Sequence, residues 1–272
     1  MPDNPSSPGN PPIQLRRIGA ADPLRWLALG WRDFLRAPGI GVFYGACFMV
    51  MGWALLAVYR HAPAYTMALS AGFLLMGPFL CLGLYRVSQR LEAGEKPDFG
   101  DSLLAWGTHT SQLGIFGFVL LVLELLWGRA TLVIFAVSFD KMPDFKGSLW
   151  ALLEPQNLPF VATWAAVGAV FATVIFAISV VSIPMILHRQ TDAITAGLSS
   201  LRLVLDQPAV MLWWAFLIAL LVGLALLPWF AGLLVVGPVV GHASWHAYRA
   251  AVVDKIAPDA PDAPARDTPT AA

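Results

Sequence analysis

The stretch from Pro208 to Gly241 contains no charged residue and reads PAVMLWWAFLIALLVGLALLPWFAGLLVVGPVVG. As one helix rising about 1.5 Å per residue it would be about 50 Å long, whereas the hydrocarbon core of a bilayer is about 30 Å thick. The chain must therefore turn back within this stretch. Pro228 is the natural break, because proline cannot continue an α-helix. This stretch predicts a pair of transmembrane helices.

The composition of the whole chain agrees with a membrane location. Of its 272 residues, 58% are hydrophobic and only 12% are charged, whereas soluble domains are about 25% charged. A net charge of zero without any Lys/Arg-rich run argues against a nucleic-acid partner. The two cysteines, Cys47 and Cys81, lie inside apolar runs, so they predict neither a disulfide framework nor a cysteine zinc site.

Six apolar segments are long enough to cross a bilayer. The fourth is longer than a perpendicular crossing needs, which predicts a tilt. Both ends of the chain are rich in Pro and in small or polar residues, and we expect disordered tails there. The predicted organisation is a tail at 1–12, a membrane domain at 13–253 with spans at 39–59, 62–85, 113–139, 158–187, 209–227 and 229–248, and a tail at 254–272.

The distribution of Lys and Arg predicts the orientation of these spans. With the N-terminus inside, 13 of the 17 basic residues fall on the inner side, three fall on the outer side, and Arg129 lies within the membrane. Short cytoplasmic loops carry such an excess of positive charge. Both termini are therefore predicted to be cytoplasmic.

An internal repeat organises the spans. Residues 71–78 (AGFLLMGP) reappear as residues 231–238 (AGLLVVGP), and residues 32–38 align with residues 202–208 at an offset of 170. An amphipathic segment precedes each copy, at 22–36 and 192–206, and a weaker one lies at 99–111. Such helices lie on a membrane surface. The predicted fold class is all-α integral membrane, with six transmembrane helices in three parallel units, each a surface helix followed by a hairpin.

In the first amphipathic segment, Asp22 is a suitable N-cap and Pro23 suits the first helical position. We expect one apolar face and one basic face. The apolar face comprises Leu24, Leu27, Trp31, Phe34 and Leu35, and the basic face comprises Arg25, Arg32 and Arg36.

Three prolines, Pro78, Pro184 and Pro238, occupy comparable places in the even-numbered spans. Each removes a backbone donor and frees the carbonyl four residues earlier. Freed carbonyls can line a solute path, but a structural kink with neighbouring glycines for close packing is the more economical interpretation.

Glu124 lies near the middle of the third span, where a carboxylate is a candidate functional group. Arg129 follows five residues later, about 140° around the helix, so the two do not form a natural intrahelical ion pair. A protonated or hydrogen-bonded structural glutamate is the alternative.

His242 and His246 stand four residues apart on one helical face, a spacing that metal or haem ligation can use. His188 ends the fourth span on the same side, and Asp192 could complete a site as a ligand or an outer-shell partner. The alternative is interfacial anchoring, because helix ends at the membrane surface favour His, Trp, Tyr and Arg. The sequence itself requires no cofactor.

Several of these residues carry a family resemblance that covers roughly residues 13–253. The chain resembles a bacterial family of uncharacterised six-span inner-membrane proteins with a domain of unknown function. The resemblance implies an inner-membrane location but no activity. The pattern comprises Gly30 to Phe34 with Pro38, Ala71 to Phe73 with Gly77 to Phe79, Gly83 to Tyr85 with Ser88 and Arg90, Glu92 with Gly94, Glu95 and Pro97, Trp127 with Arg129, Ser182 with Pro184, and Gly241, His242, Trp245, His246, Tyr248 and Arg249.

No phosphate-binding loop or activated nucleophile can be assembled from the sequence, so we do not expect an enzyme. The leading hypothesis is a non-enzymatic scaffold or accessory subunit, with the lipid bilayer and a membrane-protein complex as partners. The alternatives are a small-solute transporter or channel that uses Glu124, and a haem or metal protein that uses His242 and His246.

Overall fold

The computed structural model describes residues 14–61, 66–105, 107, 110–138 and 154–252, and of residues 66–75 only the backbone. The described chain is all-helical, which confirms the predicted all-α class; the predicted tails lie outside it. A single 3₁₀ turn, Pro155–Asn157, precedes α6. The helices are α1 (Asp22–Arg36), α2 (Pro38–His61), α3 (Thr66–Glu92), α4 (Phe99–Leu103), α5 (Thr110–Ser138), α6 (Leu158–Ser179), α7 (Ser182–Arg189), α8 (Ala193–Asp206), α9 (Pro208–Leu226) and α10 (Leu233–Ala251).

Four stretches of the described chain are long and apolar enough to cross a membrane. They are Pro38–His61, Thr110–Ser138, Pro155–Arg189 and Pro208–Leu226, and they match the predicted first, third, fourth and fifth spans. The predicted second and sixth spans correspond to α3 and α10, whose later turns carry charged and polar residues. The protein is thus an all-helical membrane protein, and the count of six spans stays a prediction.

The structure differs from two of the predicted spans: the fourth contains a break, and the helix of the sixth begins later than predicted. The fourth span is not one continuous helix, because α6 ends at Ser179 and α7 begins at Ser182. Pro184 consequently lies in the first turn of α7, where a missing N–H costs little. The helix of the sixth predicted span, α10, begins at Leu233, not at residue 229, because Trp229 and Phe230 adopt left-handed φ values of 53° and 65° that no helix continues.

The joints that follow α1 and α8 have the same geometry. Ala37 adopts φ −133° and ψ 56°, Gln207 adopts φ −138° and ψ 56°, and a proline opens the next helix after each. The two helices also bury the same five positions, 170 residues apart. On α1 these are Pro23, Trp26, Gly30, Asp33 and Phe34, and on α8 they are Ala193, Ala196, Ser200, Leu203 and Val204.

The single apolar face predicted for α1 is divided in the structure. Phe34 is buried inside the protein, whereas Leu24, Trp31 and Leu35 are exposed. The predicted position at a membrane surface would give such a helix two apolar neighbours, the rest of the protein and the lipid, and would account for the division. The protein-facing side of α1 packs on α10, as α4 packs on α3 and α8 packs on α6 and α7.

A short N-terminal segment ties distant parts of the fold together. The Arg16 N–H donates to the Ala251 carbonyl over 2.9 Å. The Gln207 side chain accepts from the Ile18 N–H and donates to the Arg16 carbonyl. This segment therefore links the end of α10 to the joint between α8 and α9.

Candidate functional site

Four polar side chains from three helices meet at one end of the helix bundle. Asp33 comes from α1, Ser88 from α3, and His242 and His246 from α10; we call them the polar cluster. Asp33 is 4% exposed, and Ser88 and His242 are 0% exposed. Burial of polar groups is tolerated only where they satisfy one another, so their pairing decides what the cluster can do.

Gly30 allows this meeting by letting α1 approach the backbone of α10. A Cβ atom at Gly30 would lie 2.5 Å from the Val239 oxygen and 2.7 Å from the Ala243 nitrogen. Any larger residue would hold the two helices apart. One turn further along α1, Asp33 is thereby brought within reach of His246.

Each contact in the polar cluster has hydrogen-bonding distance. Asp33 Oδ2 lies 2.8 Å from Ser88 Oγ and 2.8 Å from His246 Nε2. Ser88 Oγ also lies 2.8 Å from His242 Nδ1. An ionised carboxylate only accepts, so the Ser88 hydroxyl donates to Asp33, and Ser88 Oγ then accepts from the Nδ1–H of His242.

The protonation of Asp33 follows from these contacts. Burial by itself would raise the pKa of Asp33, but the hydrogen bonds from His246 and Ser88 outweigh burial and hold the pKa below its usual value. Asp33 is therefore the anionic centre of the cluster at neutral pH. His242 Nε2, by contrast, is buried without a hydrogen-bond partner among the described residues.

The polar cluster contains serine, histidine and aspartate but not the geometry of a nucleophilic triad. In such a triad the histidine takes the serine proton and the aspartate orients the histidine. Here Ser88 directs its proton to Asp33, and the complete burial of Ser88 leaves no approach for a substrate. The arrangement fixes α1, α3 and α10 relative to one another.

A second set of contacts surrounds the polar cluster. Glu92 accepts from Trp245 Nε1 over 3.0 Å and from Arg249 Nε over 2.9 Å, which ties the end of α3 to α10. Asp101 of α4 pairs with Arg86 and Arg90 of α3 at 2.9 Å and 3.0 Å. The hydrogen bonds from Arg86 and Arg90 lower the pKa of Asp101 despite its partial burial.

The predicted metal ligands have separate partners. His188 Nδ1 lies 2.9 Å from the Tyr248 hydroxyl, and the His188 ring packs edge-on against Trp245. Asp192 caps α8 by accepting from the Thr195 N–H over 2.9 Å. Within the described residues, no group of three or more His, Cys, Asp or Glu side chains is arranged to hold a metal ion. Metal or haem binding by His242 and His246 therefore stays a prediction, and the described residues supply no third ligand for it.

The predicted intramembrane residues lie apart from the polar cluster. Glu124 is buried on α5, and it forms no ion pair with the exposed Arg129. Pro78 and Pro238 lie inside α3 and α10, and their role as kink sites stays a prediction.

Asp33, Ser88 and Glu92 were not among the predicted site residues, although all three belong to the residue pattern of the family resemblance. Asp33 lies outside the apolar face that was predicted for this helix. At about 100° per residue, it falls on the same side as Trp26 and Gly30, and only the structure shows that this side is buried. Ser88 and Glu92 offer no local signal either, because their partners lie at least 55 residues away, on α1 and α10.

The middle of the chain can be compared with known families. Residues 66–188 resemble the DUF2189 family. The family is described as a predicted integral membrane protein of unknown function. Neither the curated proteins nor the solved structures contain a match to the chain.

The DUF2189 match concerns the class of protein, integral membrane, and indicates no activity. It runs from the start of α3 to α7 and includes Ser88, Glu92 and Glu124. Asp33, His242 and His246 lie outside it. The similarity supports the integral membrane class, while the polar cluster combines residues inside and outside the matched segment.

Proposed function

We propose that the protein is a non-enzymatic scaffold or accessory subunit of the bacterial inner membrane. The proposal includes six spans, with α3 and α10 as the second and sixth, in three units of a surface helix and a hairpin. It also places both termini and the polar cluster on the cytoplasmic side, in agreement with the excess of Lys and Arg predicted there.

The observation that carries the proposal is the internal pairing of chemically capable side chains. Asp33, Ser88 and His246 satisfy one another, and Glu92 is occupied by Trp245 and Arg249. Buried and paired groups such as Asp33 and Ser88 hold helices in register, and a reactive site requires access that Ser88 lacks. A rigid end of the bundle suits a docking role.

The connection between α3 and α4 is the part of this end best suited to a protein partner. Glu95, Lys96 and Asp98 are exposed there, directly beside the ion pairs of Arg86 and Arg90 with Asp101. Anchored loops with exposed residues of both charges are typical recognition surfaces, because the scaffold positions them while the side chains stay accessible.

Site-specific photo-crosslinking in native membranes tests the proposal. A photoreactive phenylalanine analogue replaces Lys96 in one full-length variant and the exposed Val137 or Leu227, at the far ends of α5 and α9, in matched controls. We expect one reproducible protein adduct from position 96 and none from the controls. No discrete adduct at position 96, or the same adducts at the controls, would contradict the docking role.

A transporter is the second candidate, and the buried Glu124 of α5 favours it, because a carboxyl within an apolar span is a common element of ion and proton paths. Proteoliposomes that contain a pH-sensitive dye test it. If the protein conducts protons, wild type dissipates a pH gradient faster than empty vesicles and Glu124→Gln does not. Equal rates for wild type, variant and empty vesicles would argue against a proton path.

A further inference from the structure

The exposed side of α1 carries an apolar strip. Leu24, Trp31 and Leu35 are 46% to 57% exposed, and Ala28 lies between them. At about 100° per residue these four positions fall within an arc of about 60°. Large side chains in one exposed line indicate a surface that contacts something apolar.

An arginine strip runs beside the apolar strip. Arg25, Arg32 and Arg36 are all exposed and fall within an arc of about 40°, centred roughly 90° from the apolar strip. Arg25 lies 3.5 Å from Asp22, whereas Arg32 and Arg36 have no ion pair or hydrogen bond within the described chain. Two guanidinium groups are thus available to an anion.

The position of α1 sets the depth of both strips. One residue, Ala37, separates α1 from α2, which is a candidate membrane span beginning at Pro38. Asp33 and Gly30 fix the opposite side of α1 against α3 and α10. The exposed side is therefore held where a membrane span begins, at the depth of lipid headgroups.

The helix α8 supplies an internal comparison. Its exposed Ile194, Leu198 and Leu205 stand 170 residues after Leu24, Ala28 and Leu35. At the positions of the arginine strip, however, it carries Thr195, Arg202 and Asp206, and Arg202 pairs with Asp206 at 3.6 Å. The α8 face is thus apolar without a net positive charge.

We propose that the exposed face of α1 binds the headgroups of anionic phospholipids, and that the corresponding face of α8 contacts lipid without selecting for charge. The apolar strip enters the acyl boundary, and the guanidinium groups donate paired hydrogen bonds to phosphate oxygens. Zwitterionic lipids also carry phosphate, but only anionic lipids add the net charge that the arginine strip complements. This selection goes beyond the proposed scaffold role and uses a different surface from the α3–α4 connection.

Quenching of Trp31 fluorescence in nanodiscs tests the proposal with the full-length protein. The discs consist of phosphatidylcholine with a minor fraction of either brominated phosphatidylglycerol or brominated phosphatidylcholine. The Trp31 signal is the difference between wild type and Trp31→Phe, because the chain has 11 tryptophans. We expect the phosphatidylglycerol probe to quench Trp31 more strongly, and added salt to reduce the difference between the probes.

Substitutions then assign the preference to the arginine strip. Each basic residue near a membrane surface contributes about 1 kcal/mol of attraction to anionic lipid, or about a fivefold enrichment. Arg32→Gln/Arg36→Gln should reduce the enrichment about 25-fold, whereas the matched control Arg202→Gln should leave it within about twofold.

Three results would overturn the proposal. The first is equal quenching of wild type by the two probes, which would leave this face to a protein partner. The second is an equal effect of Arg202→Gln. The third is a preference that survives loss of both arginines in a folded variant. If the double variant does not fold, the salt dependence of the wild-type preference decides, since a preference unchanged by salt contradicts the proposal.

Discussion

The amphipathic helices α1 and α8 have the same buried positions and the same C-terminal geometry, but they bury different kinds of side chain. Their C-terminal joints have nearly the same φ and ψ angles, and their five buried positions correspond one to one. At the fourth of these positions, however, α1 buries Asp33 and α8 buries Leu203, and at the third α1 has Gly30 where α8 has Ser200. The architecture therefore tolerates an apolar residue where α1 has its carboxylate.

The difference indicates what the polar cluster contributes. A buried carboxylate is costly unless its partners are in place, and Leu203 shows that packing alone can fill this position. Asp33 accepts from Ser88 of α3 and from His246 of α10, so it holds α1 in a single register against both. We infer that the cluster contributes specificity of assembly more than net stability.

Replacing Asp33 by Leu makes α1 resemble α8 and should have the largest effect on stability. The Ser88 hydroxyl and His246 Nε2 would both lose their acceptor, at a cost of about 1–3 kcal/mol each. We expect the free energy of unfolding in detergent micelles to fall by about 4 kcal/mol. Thermal or denaturant unfolding of the purified protein measures the loss.

A compensating variant separates lost pairing from lost shape. Asp33→Leu/Ser88→Ala/His246→Leu removes both partners of Asp33 together with the carboxylate and leaves only the Nδ1–H of His242 without its Ser88 acceptor, so about half of the lost stability should return. If the triple variant is no more stable than Asp33→Leu, the polar cluster does not act through pairing.

Gly30→Ala should have the next largest effect, because it tests the close approach that distinguishes α1 from α8. The new Cβ would overlap the backbone of α10 at Val239 and Ala243, which cannot move as a flexible side chain can. We expect a loss of about 2 kcal/mol in the same unfolding assay. Gly39→Ala is the control, since no atom lies within 4 Å of a Cβ there. Equal losses in the two variants would contradict the close approach.

The limits of sequence reasoning are visible in the same two helices. The uncharged stretch Pro208–Gly241 predicted a turn near Pro228, because bilayer thickness and proline geometry are local constraints. The contact of Asp33 with His246 joins residues 213 positions apart, and no local pattern shows which helices are neighbours. The division of the α1 face was also missed, because hydrophobicity alone does not separate protein-facing from lipid-facing positions.

Ser200→Ala should have a smaller effect and tests the α8 side of the comparison. The Ser200 hydroxyl donates to the Ala177 carbonyl over 2.7 Å and accepts from the Val181 N–H over 3.4 Å, at the break between α6 and α7. Its loss should cost about 1 kcal/mol. Ser199→Ala is the control, because the Ser199 hydroxyl bonds only within its own helix, to Thr195. A larger loss for Ser199→Ala than for Ser200→Ala would argue against a role of Ser200 at this break.

The pH dependence of stability should give the smallest difference between wild type and a variant, because burial raises the pKa of Asp33 and so opposes the hydrogen bonds that lower it. A carboxyl whose folded pKa lies below its usual value of 3.8 stabilises the fold above that value, and this contribution is lost as the pH falls through the folded pKa. Wild type should therefore lose more stability than Asp33→Asn as the pH is lowered from neutral to below 3.8. Asp192→Asn serves as a second reference. The backbone N–H of Thr195 lowers the pKa of Asp192, which lies at the start of α8 and away from the polar cluster. Parallel pH profiles for wild type and Asp33→Asn would mean that Asp33 titrates alike in the folded and unfolded chains, and the ionised centre assigned to the polar cluster would then be wrong.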